Sequence, residues 1–130
     1  MKIETGLILC AGFGKRVAPL TDKTPKPLLK IKNNVLLDKS INFLEKCGIN
    51  KIKINTHYLA QEIENFIRAQ NYKIKIEISY ENEILDTGGG VKNLIKNEVD
   101  ENFLVLNPDT IWNDKYLDEI VQMKNLFFKN

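Results

Sequence analysis

Apolar and polar positions follow two alternating rhythms along this chain. Leu7-Ile8-Leu9-Cys10 is an unbroken apolar run, the pattern of a central strand covered on both faces. From Leu37 the apolar positions fall at helical spacing through Ile41, Leu44 and Cys47, and Gly48 supplies a stop. Lys51-Ile52-Lys53-Ile54 alternates with a period of two and predicts a strand. Leu59, Ile63, Phe66 and Ile67 mark a second helical stripe. Lys73-Ile74-Lys75-Ile76-Glu77-Ile78 alternates again, which predicts a strand with one wet face near a sheet edge. Gly88-Gly89-Gly90 opens a helix carried on by Val91, Leu94 and Ile95. Phe103-Leu104-Val105-Leu106 is a second fully apolar strand, and Tyr116, Leu117, Ile120 and Val121 begin a last helix. Strand and helix thus alternate about four times, predicting an α/β domain with a mostly parallel sheet.

In such sheets ligands sit at the carboxyl ends of the strands. Residues 11–27, 85–90 and 107–110 leave those ends and are expected to line one crevice. A chain of 130 residues allows one domain, and 43% apolar with 28% charged residues is the balance of a folded globular protein. The longest apolar stretch, Leu7 to Phe13, falls far short of the ~20 residues a membrane span needs, so no membrane partner is expected. No signal peptide is expected either, because the apolar run within Thr5 to Arg16 lacks a small-residue cleavage pattern. Cys10 and Cys47 are too few for a disulfide framework, and the expected compartment is the cytoplasm.

A net charge of +2 gives no reason to expect nucleic acid. Its distribution is more informative: residues 1–32 hold seven Lys/Arg against two acids. Positive charge concentrated in a glycine-bearing segment points to a small anionic ligand, most simply phosphate. Glycines at 12 and 14 let backbone N–H groups approach such a ligand, and Lys15, Arg16 and Lys26 can neutralise its oxygens. Alone, a Gly-x-Gly pair is equally a solvated surface turn. It is neither a Walker A loop, for no Gly-Lys-Ser/Thr follows, nor the dinucleotide fingerprint, for position 17 is Val. That disfavours a Rossmann oxidoreductase.

The run from Leu7 to Arg16, then Pro19-Leu20-Thr21, Pro25-Lys26-Pro27-Leu28, Thr87-Gly88-Gly89-Gly90 and Asn107-Pro108-Asp109, resembles the signature of the sugar-1-phosphate nucleotidyltransferases. It looks most like the subgroup of N-acetylmuramate 1-phosphate uridylyltransferase and mannose-1-phosphate guanylyltransferase. The resemblance implies a Rossmann-like, three-layer α/β nucleotidyltransferase fold with a mostly parallel sheet, C-terminally truncated. Residues 1–130 would be the N-terminal, NTP-binding portion of the nucleotidyltransferase domain. It further implies that Ala11 and Gly12 face the base while Gly14, Lys15 and Arg16 wrap the triphosphate. Lys26 would stand beside the phosphorus under attack, Asn107 would touch the nucleotide, and Asp109 would hold Mg²⁺. Arg16 and Lys26 would be the catalytic pair. The implied reaction moves NMP from an NTP to a sugar 1-phosphate, giving NDP-sugar and pyrophosphate. A catalytically incomplete NTP-binding module and a phosphocholine-type cytidylyltransferase are the alternatives.

Two departures stand out. Cys10 replaces the usual alanine and is expected to be a small buried residue, not a reactive thiol. Pro108 replaces a glycine or serine; its ring removes an N–H and is expected to alter how the Asp109 backbone is placed. Glu81, Glu83 and Asp86 are expected in a solvated loop and not as paired catalytic carboxylates. His57 is expected to be a structural polar residue, and Trp112 an anchor for the next helix. Met123, Leu126, Phe127 and Phe128 occupy more than one helical face, the look of an element meant to be covered. The chain is therefore expected to be a fragment or a natural truncation, with its last helix available to a second copy or a partner chain.

Overall fold

The computed structural model describes residues 2–13, 18–99, 102–110 and 112–129. Six strands and four α-helices follow one another among them: β1 (Thr5–Leu9), β2 (Lys30–Ile31), β3 (Asn34–Val35), α1 (Leu36–Lys46), β4 (Lys51–Thr56), α2 (Ala60–Gln70), β5 (Lys75–Tyr80), α3 (Thr87–Ile95), β6 (Phe103–Leu106) and α4 (Leu117–Lys129). The main sheet has the order β5-β4-β1-β6 and every neighbouring pair in it is parallel. The expected α/β alternation is therefore present, with β5 at one edge.

The two sheet faces differ because the strand sequences do. Ile8, Ile52, Ile54, Leu104 and Leu106 join Leu37, Ile41 and Leu44 of α1, Ile63 of α2 and Ile120 of α4 in one apolar core. A Cβ on Gly6 would lie 2.8 Å from Leu44 Cδ1, so glycine there allows α1 to approach β1 closely. Along β4 and β5 the intervening positions are polar, charged at Lys51, Lys53, Lys75 and Glu77. Lys51 and Lys53 both reach Glu98 Oε1, at 2.6 and 2.9 Å, and both lie within 4.0 Å of Glu77. α3 packs against β1 and β4, and Asn93 and Leu94 border a small pocket of about 170 Å³ with Lys53 and Glu77. Helices on both faces of a parallel sheet make the three layers.

Two features depart from the sequence reading. Residues 30–35 form a two-stranded antiparallel hairpin that periodicity does not announce. Lys32 and Asn33 have φ of 51° and 65°, the left-handed pair that a two-residue hairpin turn requires. β6, although apolar throughout, is an edge strand, with Val105 41% exposed.

α4 divides its apolar residues between two directions. Leu117, Ile120 and Phe128 turn onto the core, and Lys124 Nζ donates to the Cys47 carbonyl at the end of α1, 3.0 Å away. Val121, Met123, Leu126 and Phe127 are exposed. Phe128 thus belongs to the covered face, unlike its neighbour. No helix among the described residues is long and apolar enough to cross a membrane.

Candidate functional site

Because the sheet is parallel, the segments after β1, β4, β5 and β6 emerge at one end. Cys10 and Ala11 leave β1 as buried residues, while Gly12 and Phe13 are exposed. Phe13 meets the His57 ring edge-on at 5.3 Å and the Tyr58 ring at 5.5 Å. The Tyr58 hydroxyl donates to the Thr21 carbonyl at 2.7 Å, so residues just past β4 tie down the chain at Thr21 as well as at Phe13. Gly14, Lys15 and Arg16, expected to bind the triphosphate, lie outside the described residues.

Lys26 sits in a single 3-10 turn, Lys26–Leu28, flanked by buried Pro25 and Pro27. The turn is closed by Leu28 N–H to the Pro25 carbonyl at 2.9 Å and Leu29 N–H to the Lys26 carbonyl at 3.1 Å. From it, Lys26 Nζ reaches 3.4 Å from Asp109 Oδ2 across 83 positions of sequence. The two side chains are 35% and 50% exposed, so the contact is a wet ion pair of little worth to stability. A cation and a carboxylate held this loosely at the sheet's carboxyl end are free to exchange each other for a ligand.

Asn107 and Asp109 are exposed on the turn after β6, with Pro108 buried between them. Trp112 fixes that turn. Its Nε1–H donates to the Asn107 carbonyl at 3.1 Å, and its ring stacks on Phe43 of α1 at 5.2 Å. Its contact toward the next helix, where it is expected to act as an anchor, is with the Tyr116 ring just before α4, at 5.1 Å.

The 81–90 segment corrects one expectation. Glu81 is not in a solvated loop: it is 4% exposed. Its Oε2 accepts from Asn55 Nδ2 at 3.1 Å and its Oε1 from Leu85 N–H at 3.4 Å. Asn55 Oδ1 in turn accepts the Cys10 N–H at 2.7 Å. A buried carboxylate needs such donors, because an unpaired one is costly to desolvate. Asp86 caps α3, accepting the Gly89 N–H at 2.6 Å, and Glu83 is exposed. The Asp-before-helix pattern was the available signal for that cap.

His57 is structural in this geometry. A carbonyl only accepts, so the 2.6 Å contact to the Glu81 carbonyl assigns the proton to Nδ1. Its ring also stacks on Tyr80. Cys10 is buried, and burial pushes its thiol well above the ordinary cysteine range, which makes it inert at neutral pH.

Among the described residues no cluster of three or more metal-type side chains occurs. Asp109 offers one exposed carboxylate, a donor set that suits a hard cation when ligand oxygens complete the shell. The arrangement thus combines a glycine-bearing loop, a lysine opposite an aspartate, and the start of a glycine-rich helix, around an open end of a parallel sheet.

Residues 5–126 match the sequence profile of the family described as nucleotidyl transferase. The chain is 33% identical over 106 residues to D-glycero-alpha-D-manno-heptose 1-phosphate guanylyltransferase of Aneurinibacillus thermoaerophilus, covering 82% of this chain and 46% of that protein. It is 34% identical over 113 residues to N-acetylmuramate alpha-1-phosphate uridylyltransferase of Caulobacter vibrioides, covering 84% and 47%. Its fold is similar to that of a UDP-glucose pyrophosphorylase crystallised with UDP-glucose, at a TM-score of 0.83 and 20% identity across 98% of this chain and 54% of that one. The chain spans about half the length of these relatives. With the match running from the start of β1 into α4, the chain belongs to the nucleotidyl transferase family.

Proposed function

We propose that this chain is the nucleotide-binding half of a sugar-1-phosphate nucleotidyltransferase. A phosphate oxygen of the sugar 1-phosphate attacks the α-phosphorus of an NTP, forming a new P–O bond. The bond between the α-phosphorus and the bridging oxygen breaks, and pyrophosphate leaves. The observation that carries this reading is the meeting of Lys26 and Asp109, 3.4 Å apart, within a family whose relatives are named for this kind of transfer.

Ala11 and Gly12 would face the base, and Asn107 would contact the nucleotide. Gly14, Lys15 and Arg16 would wrap the triphosphate, with Arg16 offering two parallel donors. Lys26 would leave Asp109 for the α-phosphate and neutralise charge that grows there in the transition state. Such reactions need positioning and charge stabilisation more than covalent help. Asp109 would hold Mg²⁺, which supplies Lewis-acid polarisation of phosphate oxygens when bound. The exposed face of α4 would associate with a second copy or with a partner chain. Two free cysteines fit a reducing, cytoplasmic setting.

The test is titration calorimetry of each NTP with and without Mg²⁺. Lys26→Ala and Arg16→Ala are each expected to weaken binding by about 1.5–3 kcal/mol, the worth of a hydrogen bond to a charged group. Asp109→Asn keeps the size of the side chain and should remove the Mg²⁺ dependence while leaving the melting temperature in place. Wild-type affinity for every NTP in all three variants would overturn the assignment.

A further inference from the structure

The sheet's hydrogen bonding ends before the candidate site begins. β1 and β4 pair in parallel as far as Leu9 and Asn55, and the next residue on the β1 side, Cys10, lies beyond β1. Its N–H is taken by a side chain: Asn55 Oδ1, at 2.7 Å. The same amide group donates through Nδ2 to Glu81 Oε2 at 3.1 Å, and the other oxygen of Glu81 receives the Leu85 N–H. One chain of hydrogen bonds therefore runs from the backbone just ahead of Ala11 and Gly12 to the backbone just ahead of α3. Asn55 and Glu81 are both 4% exposed, so water does not compete for these bonds.

We propose that Asn55 is a positioning residue of the nucleotide site, setting the distance between the loop after β1 and the glycine-rich start of α3 through its one amide. The inference rests on the nucleotide reading above. Only a group that accepts on one side and donates on the other fits this place. A carboxylate at position 55 would keep the Cys10 bond and turn an acceptor toward the Glu81 acceptor. An aliphatic side chain would leave the Cys10 N–H and one oxygen of Glu81 without their partners. The α3 side is shaped to the same end: a methyl on Gly90 would lie 2.8 Å from Asn55 Nδ2, so the helix approaches the amide as closely as glycine permits. Neither Asn55 nor Glu81 needs to touch the ligand for this role.

The experiment exchanges the two functional groups. Asn55→Asp alone is expected to weaken NTP binding roughly tenfold to a hundredfold, the span of a lost charged hydrogen bond. Adding Glu81→Gln to it restores every donor-to-acceptor pairing with the polarity reversed and the net charge unchanged. The double variant should regain affinity to within about threefold of wild type, the non-additivity expected of a directly coupled pair. Melting temperatures are read alongside. An Asn55→Asp variant that binds NTP as wild type does overturns the proposal. So does a double variant that regains its melting temperature but not its affinity, for that outcome assigns Glu81 a role through its charge. If the wild-type chain binds no NTP, the nucleotide reading fails by itself, and amide hydrogen exchange decides the rest. Faster exchange at Cys10 and Leu85 in Asn55→Asp, reversed in the double variant, upholds the positioning role; unchanged exchange at both overturns it.

Discussion

A methyl group added to Gly88 would meet nothing closer than Asp86 Oδ1 at 3.8 Å, while one on Gly90 would press into Asn55. The two substitutions should therefore separate packing from binding. Gly90→Ala is expected to lower the melting temperature. Gly88→Ala, in a helical position, should hold stability or raise it by up to about 1 kcal/mol, since alanine is the better helix former. Under the proposed function its NTP affinity should nevertheless fall, because the open side of Gly88 is where a ligand would come close. Equal affinity of Gly88→Ala and wild type in calorimetry would remove that segment from the site. Thr56 allows a second test. Its hydroxyl is fully buried and has no hydrogen-bond partner among the described residues, a state that costs about 1–3 kcal/mol. Thr56→Val keeps the shape and should raise the urea midpoint. At this scale the sequence is hardest to read. Glu81 stands in a polar run and looks solvated; its burial depends on Asn55, 26 positions away and itself unremarkable in a list of residues. Lys26 and Asp109 are legible as candidates, yet only the order of the parallel strands brings them together.

Among the elements, β4 and β5 carry alternation into electrostatics. Ile52, Ile54 and Ile76 feed the core, and the lysines Lys51 and Lys53 meet Glu77 and Glu98 on the other face. Hydrogen bonds from Lys51 and then Lys53 hold the Glu98 carboxyl below the usual carboxylate range. A carboxyl depressed in the folded state stabilises the fold above its ordinary pKa, and that contribution is lost as pH falls through the folded value. Glu98→Gln should therefore unfold at lower urea than wild type near neutral pH, with the gap closing in acid. A gap that stays constant down to pH ~3, below the ordinary range for a carboxylate, would show that the ion pairs carry no net stability. The strands and helices of the main layer were legible because burial writes its pattern into four or more residues. The β2–β3 hairpin was not, for two residues per strand are too few to show any period.

For the molecule as a whole, the parallel sheet leaves an apolar strand, β6, at one margin and an apolar helix face on α4. Burying an exposed Leu or Phe contributes roughly 1.5–3 kcal/mol, so Leu126 and Phe127, 65% and 56% exposed, can together outweigh part of the entropic cost of association. Sedimentation should show concentration-dependent association that Leu126→Ser with Phe127→Ser reduces while NTP binding persists. A wild-type chain that stays monomeric at high concentration would rule this out. Phe128 is not a useful target, since it packs on the core and its loss would confuse folding with assembly. The two-sided apolar character of α4 was plain in the sequence, but which phenylalanine faces outward depends on how the helix is rotated against α1.

The turn that presents Lys26 has a consequence for how tightly a ligand can be held. Buried prolines on either side fix the backbone before any phosphate arrives. Ordering one residue's backbone costs about 1–2 kcal/mol, and here that loss is met during folding. Only the lysine side chain has rotamers left to surrender on binding. The rigidity of a short proline-flanked turn, and not any additional contact, would then set much of the advantage of this lysine over one displayed on a flexible loop.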